Sequence, residues 1–212
     1  TNTLNNSFDT VGTAIYYSDD VDYYLARYIG DNTTELILSS EMTMTSDASS
    51  SDAGWSGAYK SFTNNGTLKT NGKVGHSGFL NSTVFDNNSS VITTAGSTRN
   101  SHGYRNTGTF TNESKGTLQI NGDGAAGAMG FSNDGNLINK GSISAAGRSS
   151  VGLYHGSEQT FTNYGTVSSV CETSDGTINH GTINNEVGAT YRARTLQATD
   201  SYGVENRGTF NN

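Results

Sequence analysis

The chain has 212 residues, of which 32% are hydrophobic, and its net charge is −7. Its 12 basic residues form no stripe, which argues against nucleic acid as a partner, and no apolar run is long enough to span a membrane. Low hydrophobicity is typical of disorder, but disordered chains are also rich in proline and lysine, whereas this chain has 27 glycines and no proline.

A polar chain can still fold when its core is thin and its backbone is densely paired. Stacked turns of β-strand meet this description, because each turn fills only a narrow interior and pairs with its neighbours. We therefore expect an all-β solenoid. The lack of an initial Met and of a signal peptide predicts a mature product or an excised fragment.

Residues 1–54 do not follow the repeat that organises the rest of the chain, and we expect them to form an N-terminal cap of irregular rungs. A short helix over 18–29 could be part of this cap. Ser18 suits a helix N-cap, the acidic residues after it favour a helix N-terminus, and Gly30 suits a helix end. Such a cap would cover the open strand edges at the end of a solenoid.

The same N-terminal region is rich in tyrosine, which is enriched in surfaces that bind other molecules. A second interpretation of the region is therefore a protruding contact site. Its candidate ligand contacts are five of the 11 tyrosines, namely Tyr16, Tyr17, Tyr23, Tyr24 and Tyr28.

From residue 55 onward the chain repeats about every 25 residues. An apolar anchor recurs at spacings of 23, 25, 27, 24, 22 and 27 residues, as Phe62, Phe85, Phe110, Leu137, Phe161, Ile183 and Phe210. An asparagine follows every anchor by two residues, as Asn64, Asn87, Asn112, Asn139, Asn163, Asn185 and Asn212. Anchor and asparagine share one strand face, and strands stacked about 4.8 Å apart would let the asparagines form a structural hydrogen-bond ladder.

A second column, with the pattern Gly-x-x-Asn, shifts along the chain together with the first. It appears at Gly78–Asn81, Gly103–Asn106, Gly130–Asn133, Gly176–Asn179 and Gly203–Asn206. Gly57 and Gly152 hold the same place, with Lys60 and His155 at the asparagine position. Two columns that move together predict a right-handed parallel β-helix over 55–212. A β-sandwich or propeller would instead show hairpin pairs every 8–12 residues or so.

The sequence gives little sign of catalysis, and we expect no catalytic residues, no metal and no cofactor. The four histidines, His76, His102, His155 and His180, fall in different columns. Glu113 and Glu186 align in one column, but three rungs, or about 14 Å, separate them. Asp123 fits a calcium loop only loosely. Cys171 is the only cysteine, so we expect a small buried apolar residue without a disulfide.

The phrase Asn-x-Gly-Thr-hydrophobic, as in Asn64–Leu68 and Asn179–Ile183, resembles the passenger domains of Gram-negative autotransporters (type V secretion). The resemblance covers about residues 55–212. It implies a β-helical shaft exposed at the bacterial cell surface, with a signal peptide upstream and a membrane β-barrel downstream of this chain. The scarcity of cysteine fits the family.

The resemblance implies a non-catalytic, extracellular adhesin or stalk fragment. Its partners would be a host-cell or bacterial surface protein or glycan, with self-association as a further option, and its membrane link would run only through the downstream barrel. Two alternatives remain open: a carbohydrate-active β-helix, such as a tailspike or a polysaccharide lyase, and a toxin-like passenger. A carbohydrate-active enzyme needs two or three acids that face one cleft.

Overall fold

The fold is an all-β parallel solenoid, seen in a computed structural model of the chain. The structure describes residues 2–4, 8–11, 27–29, 35–40, 43–47, 56–72, 77–96, 101–122, 128–197 and 200–212. Within these ranges every regular element is a β-strand. No helix in them is long and apolar enough to cross a lipid bilayer.

Three parallel sheets form the long sides of the solenoid. Sheet A has nine described strands: β1 (Asn2–Leu4), β4 (Glu35–Leu38), β7 (Ser61–Asn64), β10 (Val84–Asn87), β13 (Thr109–Asn112), β16 (Asn136–Asn139), β19 (Thr160–Asn163), β22 (Thr182–Asn185) and β25 (Thr209–Asn211). Sheet B has eight: β2 (Phe8–Val11), β5 (Thr43–Asp47), β8 (Thr67–Asn71), β11 (Ser90–Thr94), β14 (Thr117–Gly122), β17 (Ser142–Gly147), β20 (Thr166–Cys171) and β23 (Thr190–Thr195).

Sheet C has six described strands: β9 (Phe79–Asn81), β12 (His102–Asn106), β15 (Met129–Asn133), β18 (Val151–His155), β21 (Asp175–Asn179) and β24 (Val204–Asn206). A separate pair, β3 (Arg27–Ile29) and β6 (Ser56–Ala58), holds the corresponding place in the two turns before β9. Each turn of the chain therefore adds one strand to each side in a fixed order. Six turns, from β7 to β24, have a described strand in all three sheets, so the described residues form a β-solenoid with about six complete turns; its right-handed winding stays a prediction.

The strand register is the one that the repeat predicted. Phe62, Phe85 and Phe110 pair across β7, β10 and β13, and the alignment continues through Leu137 to Phe210. Like residues stack because parallel strands one turn apart pair without a shift in register. Four of the five described strands of residues 1–54 join sheets A and B, since β4 pairs with β1 and β7, and β5 with β2 and β8.

A continuous apolar column fills the interior. The anchors of sheet A are at most 1% exposed from Phe62 to Ile183. Their rings stack along the axis, with centroids 5.2 Å apart for Phe62 and Phe85 and 5.4 Å apart for Phe85 and Phe110. Tyr104 of sheet C joins this stack, 5.2 Å from Phe110. Burial of each such ring stabilises the fold by roughly 1.5–3 kcal/mol.

The prediction of a helix over 18–29 is wrong for its last three residues, because Arg27–Ile29 is strand β3. Its residues pair in parallel with Ser56–Ala58 one turn later. Pairing with a neighbouring turn outweighs the helical spacing of the apolar residues, and Tyr28 and Ile29 favour a strand. Residues 18–26 lie outside the described residues.

Candidate functional site

The seven asparagines that follow the anchors form a hydrogen-bond ladder, here the first ladder, at the corner between sheets A and B. Each Nδ2 donates to Oδ1 of the asparagine in the next turn, at 2.6 to 2.8 Å. Backbone carbonyls accept from the same amides: Asn112 Nδ2 lies 3.1 Å from Gly116 O and 3.2 Å from Ser142 O. The ladder therefore satisfies buried polar groups along the solenoid corner, and its role is structural.

A second ladder runs along the corner between sheets C and A. It consists of Asn81, Asn106, Asn133, His155, Asn179 and Asn206, which align in the register of sheet C. Asn81 Nδ2 donates to Asn106 Oδ1 at 2.8 Å, and Asn106 Nδ2 donates to Asn133 Oδ1 at 2.7 Å. The Gly-x-x-Asn pattern marks this column in the sequence, but the hydrogen bonds became visible only in the structure.

Lys60 does not take the place in this ladder that its alignment with Gly57 suggested. Its side chain is exposed, and Nζ donates to Glu35 Oε1 at 3.1 Å. The preceding Tyr59 is buried instead and packs edge-on against Phe62. Lys60 lies only two residues before its anchor Phe62, whereas Asn81 lies four residues before Phe85, and in this shorter connection Tyr59 is the buried residue.

His155 does take its place in the second ladder and is fully buried. Its Nδ1 lies 3.0 Å from Asn133 Nδ2, and its Nε2 lies 3.1 Å from Gln159 O and 3.2 Å from Thr182 O. Burial holds the pKa of His155 below its ordinary value of 6.5, although the backbone hydrogen bonds and the Asp134 carboxylate favour the charged form. The ring is therefore a neutral substitute for a ladder amide.

The other histidines do not join it in one site. His102, at the start of β12, has a pKa lowered to about 4 by burial and by the Arg105 guanidinium, against the opposing effect of Asp134. His180 lies at an outer corner, with its ring 5.5 Å from that of Tyr154. His76 and Asp123 lie outside the described residues. Among the described residues no cluster of His, Cys, Asp or Glu could hold a metal ion, and Cys171 is a buried free thiol.

Five of the described acids form ion pairs on the surface, namely Glu35, Glu113, Asp134, Glu172 and Glu205. Lys140 Nζ lies 3.0 Å from Glu113 Oε1 and occupies the next turn of the column that continues to Glu186. Arg105 and Arg148 lie 3.9 Å from Asp134 and 3.5 Å from Glu172, respectively. Lys140 and Tyr164 thus separate the two aligned carboxylates, Glu113 and Glu186.

The predicted tyrosine contact site falls mainly outside the described residues. This holds for Tyr16, Tyr17, Tyr23 and Tyr24. Tyr28 is the middle residue of β3, where it pairs with Gly57. The tyrosine site stays a prediction.

The outer face of sheet A carries a regular array of polar side chains. Two outward positions flank each anchor, and hydroxyl or amide side chains fill most of them. The position before the anchor holds Ser61, Val84, Thr109, Asn136, Thr160, Thr182 and Thr209, and the position after it holds Thr63, Asp86, Thr111, Ile138, Thr162, Asn184 and Asn211. The sequence repeat located these positions, but it did not single them out from the other facets.

A shallow groove crosses this face at strands β13, β16 and β19. Its lining is Thr109, Asn136, Leu137, Ile138, Thr160 and Thr162, and this set is here called the sheet A groove. Ile138 is 36% exposed and forms a small apolar floor in register with Thr162. Hydroxyl and amide groups that both donate and accept surround this floor. No carboxylate lines the groove in the described part of the chain.

These features define the molecule as a parallel β-helix with an internally satisfied polar frame and a hydroxyl-rich outer facet. Comparison with protein-family models, with curated proteins and with solved structures gives no match to this chain. A functional proposal therefore depends on the chain's own residues and geometry.

Proposed function

We propose that this chain is a non-catalytic shaft of a bacterial surface adhesin, exported as an autotransporter passenger, and that it binds a glycan along the outer face of sheet A. The Asn-x-Gly-Thr-hydrophobic phrase supports the export route through its resemblance to such passengers. The observation that carries the binding role is the regular array of outward Ser, Thr and Asn side chains on sheet A.

The chemistry of the sheet A groove favours a sugar over a charged ligand. Thr109, Thr160 and Thr162 supply hydroxyl groups, Asn136 supplies an amide, and Ile138 offers an apolar surface to the C–H groups of a sugar ring. Because strands repeat about every 4.8 Å, hydroxyl and amide groups recur at most of the outward positions along the axis, with Val84, Asp86 and Ile138 as the exceptions. An extended polysaccharide would therefore meet equivalent donors and acceptors on successive turns.

Binding of the purified protein to glycan-bearing cells, before and after enzymatic removal of their surface polysaccharide, tests the proposal. The double variant Thr160→Lys/Thr162→Lys fills the groove with two long cationic side chains. The matched control, Thr166→Lys/Ser168→Lys, places the same charges on sheet B of the same turn. Both pairs point outward, so both variants should fold.

We expect the sheet A variant to lose at least tenfold in cell binding and the sheet B variant to bind like the wild type. Removal of the polysaccharide should abolish wild-type binding. If the two variants bind equally well, the sheet A face is not the binding surface. If wild-type binding survives removal of the polysaccharide, the ligand is not the glycan.

A further inference from the structure

The corner that contains His155 is longer than the other corners of the second ladder. Two residues separate Asn106 from Thr109, whereas four separate His155 from Thr160. Gln159 takes the structural role that Gly108 has in its corner. The carbonyl of Gln159 accepts a hydrogen bond from Thr182 N at 3.0 Å, as Gly108 O accepts one from Asn136 N. The two extra residues therefore make room for an imidazole in a place built for an amide.

The polarity of the ladder fixes the protonation state of this ring. Asn133 Oδ1 accepts from Asn106 Nδ2, so Asn133 presents its Nδ2 donor to His155 Nδ1. His155 Nδ1 must then be unprotonated, and the ring proton sits on Nε2, between the carbonyls of Gln159 and Thr182. The ring is thus held by one accepted and two donated hydrogen bonds, and the accepted one, from Asn133 Nδ2 to His155 Nδ1, requires the neutral form.

Rotation of the asparagine side-chain amides does not easily provide an acceptor for a second ring proton on His155 Nδ1. If Asn133 turned its Oδ1 toward His155, its Nδ2 would face Asn106 Nδ2. A turn of Asn106 in response would set its Oδ1 against Asn136 O, which now accepts from Asn106 at 3.1 Å. The backbone carbonyl of Asn136 therefore fixes the direction of the ladder from Asn106 to His155.

Few charges surround the ring. Asp134, at the corner after β15, is the carboxylate whose field reaches it. The corner that follows His155 carries Glu158, which is exposed, and the corner of the next turn carries His180 and Gly181. A Cβ on Gly181 would lie 2.8 Å from His155 Nε2, so that turn confines the ring. On the core side lies Phe161, which is uncharged, with ring centroids 6.2 Å apart.

We propose that His155 makes this corner an acid-sensitive latch. When the ring takes up a second proton, two donors meet between His155 Nδ1 and Asn133 Nδ2, and segment 155–160 opens between sheets C and A. The property is independent of the proposed adhesive function. It resides in one histidine at a position that other turns fill with asparagine.

Amide hydrogen exchange of the intact chain at pH 7.5 and pH 5.5, corrected for intrinsic rates, tests the latch. The local probes are the amides of Gly156, His180 and Thr182, which donate to Asn133 O, His155 O and Gln159 O. The control probes are the amides of Asn88 and Glu113 at the first ladder. The variant His155→Asn restores a ladder amide, and His155→Asn with Ser157 and Glu158 deleted restores the usual corner length as well.

In the wild type we expect protection of the local probes to fall by up to about tenfold for each pH unit below 6.5, until the ring titrates in the closed state. Protection of the control probes should change much less. In either variant that folds, the local loss should disappear. Equal losses in wild type and variant would overturn the proposal. So would an NMR titration in which His155 of the wild type gains its proton without any change in local protection.

Discussion

At the residue scale, the buried amides of the ladders stabilise the corners by donating and accepting several hydrogen bonds each. Asn112 shows this: its Nδ2 donates to Gly116 O, Asn139 Oδ1 and Ser142 O, while its Oδ1 accepts from Asn87 Nδ2. A buried polar group that loses its partners costs roughly 1–3 kcal/mol, and a charged one costs more.

The substitution Asn112→Asp keeps the shape of the side chain and removes its donors. A carboxylate oxygen would then face three acceptors at a fully buried site. We expect the free energy of unfolding in urea to fall by about 3 kcal/mol or more. Asn136→Asp, on the exposed outer face of β16, is the control and should change stability by less than about 0.5 kcal/mol. Equal stability of the two variants would contradict the structural role of the first ladder.

Glu158 is the described non-glycine residue with a positive φ, at 64°. This left-handed conformation costs a residue with a Cβ about 1–2 kcal/mol, and glycine adopts it freely at a smaller entropic cost. We therefore expect Glu158→Gly to raise the free energy of unfolding by about 0.5–1 kcal/mol. Ser157→Gly is the control. Ser157 has no positive φ, so glycine there should lower the free energy of unfolding through its entropic cost. Thermal unfolding followed by circular dichroism measures both, and a lower melting temperature for Glu158→Gly would refute the expectation.

At the element scale, glycine sets how closely sheet C approaches sheet B. A Cβ on Gly152 of β18 would lie 2.6 Å from Gly176 O, from Ser169 Oγ and from Val170 O. Ser169 Oγ also donates to Gly176 O. Two of these three atoms belong to the backbone of neighbouring strands, so the sheets would have to separate to admit a methyl group.

Gly152→Ala should therefore cost about 1–3 kcal/mol, the usual penalty for an overfilled interior. Its effect should extend to hydrogen exchange of β18 and β20, because both strands must shift. Ser144→Ala, on the outer face of β17, is a control of similar size change and should leave exchange unaltered. Unchanged stability of Gly152→Ala would mean that the contact between the two sheets yields easily.

The elements of the repeat could be predicted because two features recur together and parallel strands of adjacent turns pair in register. The anchors and both asparagine columns are local in sequence, so spacing alone aligned Phe62 with Phe85 and Asn106 with Asn133. Strand β3 could not be predicted this way, because its partner β6 lies one turn away and the local apolar spacing favours a helix. Lys60 lies outside the second ladder and His155 replaces an asparagine within it. Both features depend on the length of the local corner, which differs from turn to turn.

The candidate site was less predictable than the fold. The repeat fixed which residues of sheet A point outward, but outward Ser and Thr also lie on sheet B, as at Thr166 and Ser168. The groove around Ile138 is formed by side chains of three adjacent strands, so its shape depends on how far each of them projects. Spacing in the sequence carries no information on that projection.

At the scale of the whole molecule, stability adds up turn by turn, since each turn of a solenoid contacts only its neighbours. Sheet A runs from β1 to β25, sheet B from β2 to β23 and sheet C from β9 to β24, so a local weakness in one turn affects the next through the register of both ladders. Two buried or half-buried histidines, His102 and His155, give this stack a dependence on pH.

Stability of the whole chain should fall on mild acidification. The pKa of His102 is about 4 in the folded protein against an ordinary value of 6.5, and that of His155 is also lowered. A lowered folded-state pKa means that the neutral ring stabilises the fold. The contribution is complete above pH 6.5, is lost as pH falls from 6.5 to the folded-state value, and changes no further below it.

For His102 the loss between pH 6.5 and pH 4 is about 3 kcal/mol at most. Urea unfolding at pH 7.5, 6.5, 5.5 and 4.5 or so measures it, and the midpoint should decrease steadily below pH 6.5 in the wild type. The double variant His102→Asn/His155→Asn should show a flatter profile, because asparagine does not titrate. The control is His180→Asn, which removes a histidine whose side chain belongs to neither ladder. If the double variant keeps the wild-type slope, other groups account for the sensitivity to acid.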